Sequence, residues 1–324
     1  MCAVIRNSDH RSKDYDQLRH IMRPGHADYS GKIRYGGYND FRGGGHFSGR
    51  LTAPLVFAGA VASQILKRRG VAVGAHILQI GSVRDASFNP LGEDEALFAS
   101  LKQEALPVLD KTKQAEMEEE IMAAKGDLDS VGGVIECMIT GLPAGLGNPF
   151  FDSVESALSH MMFSVPAVKG VEFGDGFALA SMRGSGANDA FYYDGAAVKT
   201  KTNRNGGING GITNGMPVLF RVAIKPTPSI SRLQETIDTD TQENCTLEIK
   251  GRHDPCIVQR AVPVVEAAAS WAILDVWLST ENATLAVLTR KKDVKIYGDR
   301  RVFHSCRMLR NSRFIQLSGD DGTF

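Results

Sequence analysis

The sequence predicts an α+β fold, with helices packed against and between antiparallel β-sheets. Three observations carry this. Short β-branched runs and Ala-rich helical runs are mixed along the chain without strict strand–helix–strand alternation, so a doubly wound parallel sheet is not expected. Glycine is abundant, 34 residues against 12 prolines, which supplies tight turns and places where backbone can approach a ligand. Hydrophobic residues make up 43% and charged residues 23%, so a chain of 324 residues can bury a sizeable core and is not disordered.

The opening MCAVIRN reads as a strand, and Asn7 to Arg23 as a charged loop. A Gly- and Arg-rich stretch follows from Arg23 to Arg50. PLVFAGAVASQILKRR (Pro54 to Arg69) predicts a helix, with Pro at its first turn and cations at its last. Gly70 stops it, and Val71 to Gly81 is a strand. Further helices are expected over Glu93 to Glu104, before Pro107, and over Lys113 to Lys125, before a Gly. Val131 to Leu142 has the β-branched content of a strand, and Ser153 to Met162 is a short helix capped near Asp152. Val168 to Gly174 is a strand; Asn203 to Gly215 is a loop of residues that tolerate positive φ. Pro217 to Lys225 and Cys245 to Lys250 are strands. Ala261 to Leu278 is a long apolar helix whose Glu266, Ser270 and Asp275 suit a protein core better than a membrane.

Charge narrows the function. Thirty-seven Lys and Arg balance 37 Asp and Glu, which argues against a general nucleic-acid binder. The five cysteines are odd in number and none pair at metal-ligand or redox spacing, so neither a zinc site nor a disulfide framework is expected; the compartment is reducing and cytoplasmic. No metal is expected. Ser279 to Phe324 holds nine Lys/Arg against five acids, without aromatic interleaving, and reads as a solvated, poorly ordered extension rather than a basic arm.

Four segments combine polar side chains with turn chemistry. They are RPGHAD (Arg23 to Asp28), RGGGHFSGR (Arg42 to Arg50), the Gly206 to Gly215 loop leading to Lys225-Pro226-Thr227-Pro228-Ser229, and GRHDPC (Gly251 to Cys256). Taken singly, each has an ordinary explanation: a mobile glycine loop, a turn histidine, an Asp that starts a turn before Pro. Their recurrence far apart in sequence is what a single, highly charged anion would require: arginines for bidentate contacts and glycine-freed N–H groups. No GxxxxGK[ST], GxGxxG or GxSxG occurs, so this is no P-loop, Rossmann or nucleophile-elbow protein.

RSKDY, RPGHAD, RGGGHFSGR-x-TA, DSVGGVIEC, TGLPAGLG, PAVKGVEFGDGF, NGGINGGITNG, KPT and GRHDPC together resemble the chorismate synthases, in that family's order, from residue 3 to about 278. The resemblance implies helices sandwiched between antiparallel sheets and a homotetramer. It also implies conversion of 5-enolpyruvylshikimate 3-phosphate to chorismate and phosphate by anti-1,4-elimination. Reduced FMN is required although there is no net redox change, with NADPH as a reductant source. It further implies roles for named residues. Arg23, Arg50 and Arg252 meet substrate or flavin anions. His26 stands by flavin N1 and stabilises the reduced anion, while Asp254 stands near N5 and assists removal of the C6 proton. His46, Phe47, Ser48, Pro166, Ala167, Gly210, Lys225, Pro226, Thr227, Pro228, Ser229 and Arg252 fall at flavin-binding positions. His-Phe-Ser replaces the family's usual Arg-Ser-Ser. The family's FGESHG-like opening segment has no counterpart here, so residues 1–278 are expected to be the family domain without that segment, and 279–324 a tail foreign to it. The competing expectation is an inactive fragment that keeps flavin or phosphate affinity.

Overall fold

The computed structural model describes residues 2–5, 19–40, 42–249 and 254–291. Its elements in chain order begin with helices α1 (Asp28–Arg34) and α2 (Thr52–Lys67), strands β1 (Ala72–Ile80) and β2 (Val83–Arg84), and helices α3 (Glu95–Leu101) and α4 (Lys111–Gly126). Strand β3 (Gly133–Thr140), helix α5 (Val154–Ser164), strand β4 (Val168–Phe173) and the short helix α6 (Gly184–Ala187) come next. Strands β5 (Phe191–Asp194), β6 (Ala197–Thr200), β7 (Ile208–Asn209), β8 (Ile212–Thr213), β9 (Val218–Ile224), β10 (Gln234–Asp238) and β11 (Glu243–Leu247) precede the long helix α7 (Val258–Lys291).

Five strands make one antiparallel sheet in the order β2-β1-β3-β9-β4. The α+β class is therefore the one the sequence predicts. The period-2 pattern sorts its side chains. Val73, Ala75, Ile77, Ile135, Cys137, Ile139, Val218, Phe220 and Val222 join the main core with Val265, Ala268, Ala269 and Ile273 of α7. Met138 and Leu219 instead join Phe88, Phe98 and Leu101 in a second, smaller cluster. Helix α2 crosses α7 closely: a Cβ on Gly59 would lie 2.3 Å from the carbonyl oxygen of Ala267. Beyond the sheet, β10 and β11 form a two-stranded ribbon that Ile21 joins through a bridge to Asp238.

One row of the sheet is charged. His76 of β1 pairs in register with Glu136 of β3, Glu136 with Arg221 of β9, and Arg221 with Glu172 of β4. Signs alternate along the row. His76 Nε2 lies 3.1 Å from Glu136, Arg221 Nε donates to Glu136 at 2.9 Å, and Arg221 Nη1 donates to Glu172 at 3.1 Å. Asp85 extends the row beyond His76 Nδ1 with a long contact of 3.4 Å. Burial alone would lower the His76 pKa, but its bonds to Asp85 and Glu136 outweigh that and raise it. Burial would raise Glu136, yet its hydrogen bonds with His76 and the Phe88 N–H hold it below the usual carboxylate range.

Beyond the two residues paired with β2, that side of β1 is closed by side chains and loops rather than by a longer strand. The Ala75 N–H donates to Glu266 Oε1, Lys102 Nζ donates to the Val73 carbonyl, the Ile77 N–H to the Pro107 carbonyl, and the Asp85 N–H to the Leu78 carbonyl.

Several expectations shift. MCAVIRN is not a strand over its described residues 2–5: Val4 is 78% and Ile5 60% exposed, and they have no ladder partner. Helix α3 is shorter than Glu93 to Glu104, because Asp94 is still extended. Helix α4 starts at Lys111, since the Asp110 carboxylate accepts from the Thr112 N–H. The cap of α5 is Ser153, not Asp152. The Asn203 to Gly215 loop contains the β7–β8 hairpin. The expected boundary at 278 falls inside α7. Thr280 Oγ1 accepts from the Gly147 N–H, and Glu281 pairs with Arg69 and accepts from Trp277 Nε1. The rest of the expected tail, from 292, lies outside the described residues.

Candidate active site

The site is built from the ends of elements. Tight turns hold the loop before α1, where Gly25 takes φ +68°, and the 3₁₀ turn before α2, where Gly44 takes φ +82°. The start of β4, the end of β9 and the start of α7 converge on them. Together they line an open cavity of about 990 Å³. Among the described residues its walls carry Arg23, His26, His46, Arg50, Lys169, Lys225 and Arg260, and a single carboxylate, Asp254.

The Arg23-Pro-Gly-His-Ala-Asp segment folds on itself. Arg23 Nε donates to Asp28 Oδ2 at 2.7 Å and Nη2 to Oδ1 at 2.8 Å, a bidentate pair buried on both sides. His26 Nδ1 lies 2.6 Å from Asp28 Oδ1. Burial would raise the Asp28 pKa, but the hydrogen bonds from Arg23 and His26 hold it far below the usual carboxylate range, so Asp28 is ionised. An ionised carboxylate at that distance needs a donor, so His26 carries its proton on Nδ1. Nε2 is the free nitrogen, on the side of Gly44. Arg23 Nη1 reaches Ser229 Oγ at 3.3 Å, leaving this guanidinium largely committed to the protein.

The opposite wall is Phe163 to Lys169 with Lys225 and Thr227 to Ser229. Ala167 holds φ +73°, an uncommon conformation for a residue with a Cβ, and its carbonyl accepts from the Lys225 N–H. The Lys225 ammonium donates to the Gly25 carbonyl; burial first, and Lys169 second, push its pKa down. Thr227 Oγ1 is buried and has no hydrogen-bond partner. On the third side, Arg260 Nη1 donates to Asp254 Oδ2 at 2.6 Å.

Of the residues singled out in the sequence, Arg23, His26, His46, Phe47, Ser48, Arg50, Pro166, Ala167, Lys225, Thr227, Pro228, Ser229 and Asp254 all line this cavity. Pro226 does not; its ring packs near Gly132. Gly210 does not either, because it occupies the positive-φ turn between β7 and β8. Arg252 lies outside the described residues. Sequence reasoning missed Asp28 as the partner of both Arg23 and His26, and missed Lys169 and Arg260. Two of these stood inside quoted motifs, RPGHAD and PAVKGVEFG; Arg260 is six residues past Asp254. Among the described residues no three His, Cys, Asp or Glu side chains gather to hold a metal ion.

An antiparallel sheet backed by helices, opening on a cationic cavity with one carboxylate, defines an α+β enzyme that handles a small anionic molecule. Comparison makes the class specific. The family model for chorismate synthase matches residues 1–278. A chorismate synthase of Dehalococcoides mccartyi is 45% identical over 278 residues, covering 86% of this chain and 75% of that protein. One from Thermococcus gammatolerans is 47% identical over 273 residues, covering 84% and 75%. A crystal structure of a chorismate synthase superposes with a TM-score of 0.66 at 26% identity, over 83% of this chain and 77% of that one. The chain belongs to the chorismate synthase family, and it is a lyase of chorismate biosynthesis.

Proposed function

We propose that this cavity converts 5-enolpyruvylshikimate 3-phosphate to chorismate and phosphate with reduced FMN bound beside the substrate. The observation that carries the reading is that Asp254 is the one carboxylate among the described lining residues, whose other charged or titratable groups are Arg, Lys and His. A substrate with two carboxylates and a phosphate is drawn in by Arg50, Lys169 and Lys225, and the Asp254 carboxylate is suited to accept a proton from carbon. The step is balanced within the substrate. The C6–H bond breaks, its proton goes to Asp254, its electron pair enters the ring, and the C–O bond to phosphate breaks with its electrons leaving on phosphate.

The chain's residues fit a flavin phosphate and an anionic ring. The orphan hydroxyl of Thr227, the Lys169–Lys225 pair and Ser229 offer donors and charge, and His46, Phe47, Ser48, Pro166, Ala167 and Pro228 line the same cavity. When bound, reduced FMN would supply electron density to the elimination, with no net redox change. His26, its Nδ1 proton fixed by Asp28, lines the cavity and would leave Nε2 to meet the flavin ring. Arg23 acts chiefly by holding Asp28, with only Nη1 left for an anion.

We further infer a cytoplasmic homotetramer, with NADPH as the source of reducing equivalents and no role for nucleic acid or membrane. The free cysteines Cys2, Cys137, Cys245 and Cys256 fit a reducing compartment. The exposed apolar residues Leu51, just before α2, and Phe57 and Ile65 on it fit burial between copies.

Titration with oxidised and with dithionite-reduced FMN tests the cofactor site. The cations favour the reduced anion, so reduced FMN binds at least tenfold tighter. Equal affinities, or no binding, refute the reading. Anaerobic turnover of 5-enolpyruvylshikimate 3-phosphate with reduced FMN tests the reaction.

A further inference from the structure

We propose that Arg260 is a positioning residue for the elimination: it fixes one oxygen of Asp254 and leaves the other as the proton acceptor. This rests on the reading of Asp254 as the base. Arg260 Nη1 donates to Oδ2 at 2.6 Å, while Oδ1 has no hydrogen-bond partner among the described residues. A carboxylate held at one oxygen cannot rotate to present the wrong lone pair, so its free oxygen keeps a set direction toward the cavity that both residues line.

Two features show that folding does not account for this arginine. The pair is exposed, with side-chain accessibility of 70% for Arg260 and 43% for Asp254, and ion pairs that open to water add little to stability. Arg260 is also the third residue of α7, at the positive end of the helix dipole, where a cation is disfavoured. A charge that helps neither the helix nor the core, yet closes on the cavity's lone carboxylate, is explained by that carboxylate's task. The geometry also separates the two charges by role. The C6 proton passes to Oδ1, and the arginine neither gives nor takes a proton; it keeps the acceptor aimed before and after the transfer.

The test compares unsubstituted protein with Asp254→Asn, Arg260→Met, Arg260→Lys and the Asp254→Asn/Arg260→Met pair, each checked by circular dichroism and by affinity for reduced FMN. Arg260→Met lowers kcat about 100-fold with KM and FMN affinity within about threefold, since aim and not binding is lost. Arg260→Lys recovers about a tenth of the activity, and added guanidinium partly rescues Arg260→Met. The double variant is no slower than Asp254→Asn, because the arginine works only through the aspartate. If Asp254→Asn is inactive while Arg260→Met turns over normally, or if Arg260→Met raises KM alone, the positioning role is overturned and the base remains. If Asp254→Asn keeps full turnover, or the unsubstituted protein has none, the underlying reading fails and this proposal with it.

Discussion

Replacing Glu136 with Gln tests whether the charged row across the sheet holds the fold together. Glu136 is fully buried and serves three donors: His76 Nε2 at 3.1 Å, the Phe88 N–H at 2.7 Å and Arg221 Nε at 2.9 Å. Glutamine keeps the shape and one acceptor oxygen but turns an NH₂ group toward a donor and removes the charge between two cations. Breaking a buried pair while leaving its partners in place costs about 3–5 kcal/mol; because glutamine retains one acceptor, about 3 kcal/mol is expected. In a chain of this size that is a fall in Tm of about 4–5 °C. Urea unfolding followed by circular dichroism, with calorimetry, measures both. A loss below about 1 kcal/mol would mean that water reaches the row and that its charges are not coupled. The pH dependence has a definite sign. The folded pKa of His76 lies above its ordinary 6.5, so its contribution is complete below about 6.5 and is lost as pH rises through the folded value. Asp85 and Glu136 lie below their ordinary 3.8 and 4.5, so theirs is complete above those values and is lost as pH falls through the folded ones. His76→Gln removes the alkaline loss and keeps the acid one.

Asp28→Asn frees the His26 ring and strands Arg23; we expect about 3 kcal/mol of lost stability and about 100-fold less turnover, read by urea melts and chorismate formation. Thr227→Val weakens reduced-FMN binding about fivefold without lowering Tm, because that hydroxyl has no partner among the described residues to lose. Gly59→Val forces α2 from α7 against the Ala267 backbone and destabilises by about 3 kcal/mol, well beyond its change in helix propensity. A chain ending at 278 melts a few degrees below one ending at 291, since only the longer one keeps the Thr280 and Glu281 contacts; equal melting would make those contacts idle.

The cavity was legible because its chemistry sits in short motifs. Gly, Pro and charged residues crowd into RPGHAD, GGGHFSGR, KPTPS and HDP, and nearly every residue drawn from them that the structure describes reached one wall or another. Relations between motifs were not legible. Nothing in the run of letters says that Asp28 serves Arg23 and His26 together, or that Arg260, one turn into a helix, reaches back to Asp254. The charged row was hidden for the same reason. AVGAHILQI and VLFRVAI each carry one charged or titratable residue among apolar neighbours, which reads as incidental until strand register sets His76, Glu136 and Arg221 side by side. Short elements also escaped: α1 has seven residues with Gly31 among them, and DYSGKIR carries no strong helical period. MCAVIRN shows the converse error. Its β propensity is real, but residues 2–5 find no neighbour to pair with among the described residues, and propensity without a ladder does not make a strand.

The sealed side of β1 sets rules for assembly. An open strand edge is a template that any extended segment can copy, and proteins that leave one bare risk indiscriminate polymerisation. Here a glutamate, a lysine and two loop groups have already taken the places an incoming strand would need. To add a strand at that margin, another chain would have to evict Glu266 and Lys102 and leave a buried carboxylate without its donor. The sheet is thus terminated on that side by chemistry rather than by length, and copies of this protein that meet there must do so through side-chain surfaces, whose shape and sequence can discriminate between partners, and not through backbone, which cannot.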